Sequence, residues 1–187
     1  MKIVIVGCGR VGSGLAEAYD AAGHAVIVLD LSTRAFDRLP VEFRGSAVRG
    51  DGTDEDTLRR AGAIGADIFL ALTEGDNRNV MAAQVATEKL AIAKVVAKIN
   101  DPVRAAAYAE LGLATVCRTT MLADSISAFL GLAPSGMPSV IAATGGHHAG
   151  PDHDPLVDPE AVDATRPAGA ARPVADVGAG ANAGRGA

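Results

Sequence analysis

The first twelve residues place the strongest constraint on the fold. An apolar run, KIVIV at residues 2–6, leads directly into the glycine motif GCGRVG, which contains Gly7, Gly9 and Gly12. In a turn between a strand and a helix, the first glycine permits the tight turn, the second lets the backbone approach a pyrophosphate, and the third lets helix and strand pack closely. Three glycines can also simply form a turn, but this position in the chain favours a phosphate-binding βαβ unit.

Six short apolar runs predict the strands of a parallel sheet. Each is almost continuously apolar, as a strand covered by helices on both faces must be, and helical periodicity fills the segments between them. The sequence therefore predicts an α/β protein with a doubly wound, mostly parallel, six-stranded Rossmann-like sheet. The predicted strands are KIVIVG, AVIVLD, SAVRGD, ADIFLALT, KVVAKIN and ATVCRT, and the predicted helices cover residues 11–22, 54–61, 77–90 and 102–111, with a weaker helix at 32–39.

The composition changes abruptly after Leu132. Residues 134–187 contain 13 Ala, 9 Gly and 7 Pro and have no Phe, Tyr or Trp. Ordering one backbone residue costs roughly 1–2 kcal/mol, which such small side chains do not offset. We expect one folded domain at 1–132 and a disordered, low-complexity tail at 133–187. A group of tail side chains resembles a metal site but lacks preformed geometry, so we predict no metal there; it comprises His147, His148, Asp152, His153 and Asp154.

The overall composition limits the compartment and the class of partner. A net charge of -5 and a hydrophobic fraction of 49% disfavour a strongly basic nucleic-acid-binding protein. No apolar stretch reaches the length of about 18 residues that a membrane span needs. Cys8 and Cys117 form no C-x-x-C pair, which indicates free thiols in a reducing compartment. We expect a cytoplasmic protein without direct membrane insertion and without a nucleic-acid partner.

Asp30 stands at the end of the second predicted strand, 18 positions after Gly12. A carboxylate at about this spacing from a glycine motif reaches the hydroxyls of an adenosine ribose and repels a 2′-phosphate. The pattern therefore favours NAD(H) or an adenine nucleotide over NADP(H), although Arg34 nearby weakens the exclusion.

The residues between the glycines belong to the same predicted loop. Arg10 places a cation in the first turn of a helix, where it opposes the helix dipole by about 0.3–1 kcal/mol unless an anion is bound. A guanidinium that holds phosphate oxygens explains this position, and a side chain that simply extends into solvent is the alternative. Cys8 and Val11 complete the loop. At Cys8 the turn needs only a small side chain, and a redox role is the second interpretation.

Further polar residues follow or interrupt the other predicted strands. Asp51 comes after the third strand and Thr73 after the fourth, so Asp51 can meet the adenine and Thr73 the central sugar-phosphate of a bound nucleotide. Ordinary helix capping is the other interpretation, and it is favoured for any one of four N-cap residue types taken alone, namely Asp51, Thr53, Asp76 and Asn77. Lys98 lies inside the apolar fifth strand, where an ammonium group is costly unless it reaches an anion or water. We expect a phosphate or carboxylate partner there.

The last predicted helix, TTMLADSISAFLGL at residues 119–132, has an apolar stripe along one face. Such a stripe needs a covering surface, which is either the chain's own sheet or a second subunit. The sequence leaves both possibilities open. The residues of this stripe are Met121, Leu122, Ile126, Phe129 and Leu130.

The stretch from residue 1 to about 132 resembles the nucleotide-binding N-terminal domain of the Trk/Ktr potassium-uptake regulators, also called the TrkA-N or RCK N-terminal domain. The resemblance rests on the arginine inside GCGRVG, on GDGTDEDTLRRAGAIGADIFLALTEGDNRNVMAAQVA at residues 50–86, and on the later KINDP and YAELGLATV. It implies a ligand-gated regulatory subunit that binds NAD(H) or ATP/ADP and forms a homodimer or larger ring. The implied partner is a membrane-embedded potassium channel or transporter subunit, met at the cytoplasmic face.

The resemblance also implies a role for each matching position. The implied ligand contacts are phosphates at Gly7, Gly9, Arg10 and Gly12, the ribose at Asp30, the adenine edge at Asp51, and the remainder at Thr73 and Lys98. The terminal helix matches the family's crossover helix, which reaches over to the neighbouring subunit. Two features depart from the family: Lys98 stands where an arginine is frequent, and Arg118 to Thr120 replace the usual proline after the sixth strand. Family members commonly continue into a second ligand-binding domain, whereas the composition of residues 134–187 predicts none.

A nicotinamide-dependent oxidoreductase is the alternative function, because the glycine loop and Asp30 serve it equally well. Such an enzyme needs a positioned acid or base, and the sequence has no Tyr-x-x-x-Lys pair. His24, the only histidine of the predicted domain, follows the first helix at the opposite end of the sheet. We therefore expect no catalytic residues and no enzyme activity.

Overall fold

The computed structural model describes residues 1–142, which form a seven-stranded sheet with helices between its strands. The strands are β1 (Lys2–Val6), β2 (Ala25–Asp30), β3 (Ser46–Arg49), β4 (Ile68–Ala71), β5 (Lys94–Ile99), β6 (Ala114–Cys117) and β7 (Val140–Ile141). Their order across the sheet is β3-β2-β1-β4-β5-β6-β7. The first six strands pair in parallel and β7 is antiparallel to β6. The predicted doubly wound, mostly parallel α/β sheet is confirmed.

Five α-helices and one 3₁₀ helix connect these strands. They are α1 (Arg10–Ala21), the 3₁₀ helix (Thr33–Arg38), α2 (Glu55–Arg60), α3 (Asp76–Glu88), α4 (Pro102–Glu110) and α5 (Arg118–Phe129). The predicted helices are confirmed apart from small shifts at their ends. The weaker helix takes the 3₁₀ form and stops before Leu39, which is extended because the following Pro40 disfavours helical backbone. None of the helices in residues 1–142 has the length and apolar character of a membrane span.

The prediction of six strands misses β7. Two residues are too few to produce a strand pattern in a sequence, and this pair lies in the small-residue segment that composition assigns to the tail. The strand forms because it supplies backbone partners to the edge of β6, where Thr115 pairs with Ile141 and Val116 with Val140. Part of the predicted tail therefore belongs to the sheet. Residues 143–187, which include the tail histidines, lie outside the described residues.

The central strand β1 is buried on both faces. Its side chains alternate between two apolar clusters: Val4 and Val6 lie on one side of the sheet with Phe69, and Ile3 and Ile5 lie on the other. At most 3% of each of these four β1 residues is exposed, and full burial of one such side chain contributes about 1.5–3 kcal/mol. Burial on two faces explains why the strand is continuously apolar in sequence.

The direction of the chain through the sheet reverses between β1 and β4. From β1 the chain runs outward through β2 to β3, then returns to β4 and runs the opposite way through β5 and β6. Connections that leave the carboxyl ends of β1 and β4 therefore diverge and leave a crevice, which is where open parallel sheets bind ligands. The glycine motif follows β1 and Thr73 follows β4, so both lie at this crevice.

Helix α5 leaves its apolar stripe exposed. Thr120 is the only residue of the helix that is buried. The five stripe residues are between 44% and 89% exposed, so the stripe does not pack on the chain's own sheet. Cover by a second subunit stays a prediction.

Candidate functional site

The glycine loop between β1 and α1 has the geometry of a phosphate-binding turn. Gly7 has a φ of 106°, and a Cβ there would lie 2.8 Å from the backbone nitrogen of Thr73. At Gly12 a Cβ would lie 1.9 Å from the carbonyl oxygen of Gly7, so helix and strand approach as closely as backbone atoms allow. A Cβ at Gly9 would meet no protein atom within 4 Å. The chain's own packing thus requires Gly7 and Gly12, whereas Gly9 leaves the loop open to a ligand.

Asp30 holds this loop against the end of β2. Its Oδ2 accepts a hydrogen bond from the backbone N–H of Cys8 at 2.8 Å, and its Oδ1 accepts one from the N–H of Ser32 at 2.9 Å. A carboxylate oxygen accepts more than one hydrogen bond, so both oxygens retain capacity for ribose hydroxyls. The residue predicted to bind the ribose therefore also shapes the loop predicted to bind phosphates.

Cys8 is fully buried in the loop. Burial raises the pKa of its thiol, and the Asp30 charge raises it further, while the Arg38 charge acts in the opposite direction. The reactive form of cysteine is the thiolate, which this environment disfavours. The geometry supports a packing role for Cys8 over a redox role.

A cavity of about 300 Å³ adjoins the glycine loop. Its walls come from the loop and from the carboxyl ends of β2, β3 and β4. This volume is at the lower end of the range for small-molecule sites, about 300–1,000 Å³. Six of the ten predicted site residues line it, namely Gly7, Cys8, Gly9, Asp30, Asp51 and Thr73.

The other four predicted residues lie outside the cavity lining. Gly12 is buried and acts through the close approach of α1 to β1. Arg10 and Val11 are exposed in the first turn of α1, and Lys98 is half-buried on β5, one strand beyond β4. Their contacts with a ligand stay predictions.

Lys98 occupies an environment that disfavours its charge. Burial lowers the pKa of its ammonium group, and the charge of Arg118 at the start of α5 lowers it further. The carboxylates of Glu74 and Asp76 act in the opposite direction. A nearby anion would offset both unfavourable causes, which agrees with the expectation of an anionic partner at this lysine.

Asp51 lines the cavity and also stabilises its own turn. Its Oδ1 accepts hydrogen bonds from the N–H of Thr53 at 3.0 Å and from the hydroxyl of the same residue at 2.9 Å. The N-cap of α2 is Asp54, whose carboxylate accepts from the N–H of Thr57 at 2.9 Å. Asp51 therefore stabilises the turn before α2 and does not cap the helix itself. Its contact with an adenine stays a prediction.

Asn79 fixes the loop after β4, and no sequence-based prediction assigned it to the site. The residue is fully buried. Its Oδ1 accepts from the N–H of Thr73 at 2.8 Å and from the Thr73 hydroxyl at 2.7 Å. Its Nδ2 donates to the carbonyls of Thr73 at 3.0 Å and Lys98 at 2.7 Å. Asn79 thus joins the cavity wall to β5. The only sequence signal for it is the string DNRN at residues 76–79, which is part of the family resemblance.

A second side-chain bridge joins α3 to the end of β5. Asp76 Oδ1 accepts from the backbone N–H of Asn100 at 2.9 Å and from its side-chain Nδ2 at 2.8 Å. The adjacent Asn77 accepts a hydrogen bond from Arg104. The N-cap of α3 is Gly75, without a side-chain cap, so the capping role that the sequence favoured for Asp76 and Asn77 is wrong.

Two arginines that the sequence analysis did not assign to the site also line the cavity. Arg38 ends the 3₁₀ helix, and Arg78 lies in the first turn of α3. No motif marks either residue, because only the folded sheet brings these two segments to one crevice. In residues 1–142, no group of three His, Cys, Asp or Glu side chains is close enough together to hold a metal ion.

Known proteins share both the sequence and the fold. The TrkA-N domain family matches residues 3–119. The Trk system potassium uptake protein TrkA of Streptomyces coelicolor is 47% identical over 136 residues, which cover 73% of this chain and 60% of that protein. The chain therefore spans about three-fifths of the length of this relative.

Two solved structures have the same fold. The TrkA-N domain of the inner membrane protein ybaL from Escherichia coli has a TM-score of 0.62 at 23% identity, covering 69% of this chain and 96% of that one. The structure of GsuK bound to ADP has a TM-score of 0.59 at 25% identity, covering 69% of this chain and 33% of that one. The family match extends from β1 into the start of α5 and includes the whole glycine loop. This chain belongs to the TrkA-N domain family.

Proposed function

We propose that the chain is a regulatory subunit that binds an adenine nucleotide, NAD(H) or ATP/ADP, and controls a membrane-embedded potassium channel or transporter. The observation that carries this proposal is the cavity beside the glycine loop, with Asp30 in its wall, in a chain of the TrkA-N family. The potassium-uptake part is supported by the name of the Streptomyces relative, Trk system potassium uptake protein TrkA.

The nucleotide lies with its phosphates at the glycine loop and its adenosine toward β2 and β3. The open backbone at Gly9 and the N–H groups at the start of α1 bind phosphate oxygens. Asp30 accepts from the ribose hydroxyls, and Asp51 meets the adenine. Thr73 contacts the ligand from the β4 side, while Arg10 and Lys98 supply positive charge. The ADP-bound GsuK structure supports an adenine nucleotide as the ligand.

The nucleotide acts as an effector and is not a substrate. A hydride-transfer enzyme needs a proton donor or acceptor beside the reacting group. Among the described residues, those that line the cavity include no His, Lys or Tyr.

An effector acts through differential binding: the nucleotide binds one arrangement of the subunits more tightly than another and so stabilises it. A shift from mostly one state to mostly the other needs about 5.5 kcal/mol, which identical sites in an assembly share.

A second copy of the chain covers the exposed stripe on α5. Five apolar side chains on one helix face form a patch of the kind that marks a protein interface. Pairing of two such helices gives a homodimer, and repetition of further contacts gives a larger ring. This assembly lies at the cytoplasmic face of the membrane, where it contacts the transport subunit.

Isothermal titration calorimetry with ADP, ATP, NAD and NADH tests the nucleotide site. We expect the wild-type chain to bind at least one of them. Asp30→Asn keeps one oxygen that can accept from the N–H of Cys8, but it loses the acceptor for Ser32 and the charge. It should weaken binding roughly tenfold or more. Asp56→Ala, which removes an exposed carboxylate of α2 outside the cavity, is the matched control. Full affinity in Asp30→Asn, or no binding of any nucleotide to wild type, contradicts the proposal.

Small-angle X-ray scattering tests the switch. The scattering profile of the assembled protein should differ between the nucleotide-free state and at least one nucleotide-bound state. An identical profile with every nucleotide that binds contradicts regulation through subunit arrangement and leaves only the binding site standing.

A further inference from the structure

The two arginines that line the cavity have no carboxylate partner within residues 1–142. Arg78 donates no side-chain hydrogen bond in this part of the chain, and Arg38 donates one, from Nη1 to the Ala35 carbonyl at 3.4 Å. Three other arginines do pair with carboxylates, in the salt bridges Arg44–Asp20, Arg59–Glu55 and Arg104–Asp76. The cavity therefore contains two guanidinium groups that are available to an anion.

Arg38 and Arg78 enter the cavity from opposite sides of the glycine loop. Arg38 lies on the connection that follows β2, and Arg78 on the one that follows β4. Strands β2 and β4 are the two neighbours of β1, so they are about 10 Å apart, twice the usual spacing between strands. Two long arginine side chains can reach one diphosphate across that distance. Asp30 is on the β2 side, which places the ribose nearer to Arg38.

The start of α3 has the same open character as the start of α1. Neither helix has a side chain that caps its first N–H groups, because the N-caps are Gly9 and Gly75. Asp76, the acidic residue in the first turn of α3, binds Asn100 instead. Arg78 therefore adds a cation to an uncapped helix N-terminus, an arrangement that is unfavourable alone and favourable with a bound anion.

We propose that Arg78 is a specificity-determining residue that binds the second phosphate of the nucleotide, while Arg38 binds the first. This inference rests on the proposed nucleotide site and defines its ligand class more narrowly. The chain prefers ligands with a diphosphate, such as ADP or a dinucleotide, over a nucleoside monophosphate. Discrimination comes from Arg78, because its phosphate is absent from AMP.

Calorimetric titrations of ADP and AMP into the full chain test this assignment. Wild type should bind ADP more tightly than AMP. Arg78→Ala should weaken ADP binding by roughly 10- to 100-fold, the loss expected for one charge-assisted hydrogen-bonded contact, with little change for AMP. Arg38→Ala should weaken both ligands by similar factors. Arg60→Ala is the control, since it removes an exposed guanidinium from α2, outside the cavity lining.

The exposed position of Arg78 makes a folding defect easy to separate from a binding defect. The melting temperature of nucleotide-free Arg78→Ala should be no lower than that of wild type, because the substitution removes a cation from a helix N-terminus. Arg78→Lys should recover part of the preference for ADP because it restores the charge without the planar guanidinium. An unchanged ratio of ADP to AMP affinity in Arg78→Ala overturns the inference while the proposed site stands. Failure of wild type to bind ADP overturns the inference, and failure to bind ATP, NAD and NADH as well contradicts the proposed site too.

Discussion

Helices α1 and α5 are both 12 residues long, and both begin with an arginine. Their surroundings differ. Helix α1 buries Gly12, Ser13, Ala16 and Asp20, whereas α5 buries only Thr120. The packing of α1 forms one side of the candidate ligand site, while α5 has an apolar surface that residues 1–142 leave exposed. The contrast indicates that ligand binding and subunit contact belong to separate parts of the sheet.

The largest effect should come from the tight contact at the start of α1. Gly12→Val would drive a side chain into the Gly7 carbonyl, whose oxygen lies 1.9 Å from the ideal Cβ position. We expect a loss of about 3 kcal/mol in the free energy of unfolding, because the contact is with backbone that cannot move aside. Gly14→Ala is the matched control: no atom lies within 4 Å of its Cβ position, and alanine favours a helix over glycine by about 0.5–1 kcal/mol. Urea unfolding measures both, and equal stability of the two variants contradicts the close approach.

The next largest effect on stability should come from Asn79 on α3, which joins the loop after β4 to β5. Asn79→Ala leaves partly buried backbone groups of Thr73 and Lys98 without their Asn79 partner. We expect the free energy of unfolding to fall by about 2–3 kcal/mol. Nucleotide affinity should fall as well, because the cavity wall at Thr73 loses its support. Asn77→Ala, at an exposed neighbouring position, should cost about 0.5 kcal/mol or less, and a similar loss in both variants would contradict the structural role of Asn79.

These residues also show what the sequence could predict. The strand β1, the glycine loop and Asp30 depend on local pattern and fixed spacing, so they were accessible without a structure. Asn79, Arg38 and Arg78 act through groups that are distant in sequence, and their roles depend on which loops meet at the crevice. No local pattern contains that information. Strand β7 escapes prediction for a related reason: it forms by pairing with the edge of β6, which is distant in sequence.

The exposed stripe on α5 should affect association and leave folding unchanged. Phe129 is 89% exposed, so Phe129→Glu should change the free energy of unfolding of one chain by about 0.5 kcal/mol or less. The same change should weaken self-association by about 1–2 kcal/mol, as loss of a large apolar side chain from an interface does. Sedimentation velocity over a range of concentrations measures this. Ser127→Glu introduces the same charge on α5 beyond the edge of the stripe, and equal weakening by both variants would contradict a role for this particular face.

The smallest effect should be a pH-dependent change in stability at Lys98 on β5. Arg118, at the start of α5, acts on the pKa of this lysine. Burial and Arg118 lower the pKa of Lys98 below its ordinary value of 10.5, so the folded chain disfavours the charged form more than the unfolded chain does. Below the folded-state pKa the lysine is charged in both states, and this cost is complete. As pH rises, the folded state loses its proton first, and the cost disappears once both states are neutral.

Lys98→Met should therefore stabilise the nucleotide-free chain at pH 7, by something on the order of 0.5 kcal/mol. That advantage should shrink as pH rises toward 10.5. Thermal unfolding at a series of pH values measures it, and Arg118→Ala should reduce the advantage because it removes the second cause of the shift. With saturating nucleotide the order should reverse if Lys98 contacts the ligand, since the bound anion then stabilises the wild-type charge. An advantage that grows with pH would show that the carboxylates of Glu74 and Asp76 stabilise the charged lysine more than burial and Arg118 disfavour it. The start of α5 would then have no net effect on the charge that the sheet holds beside the candidate site.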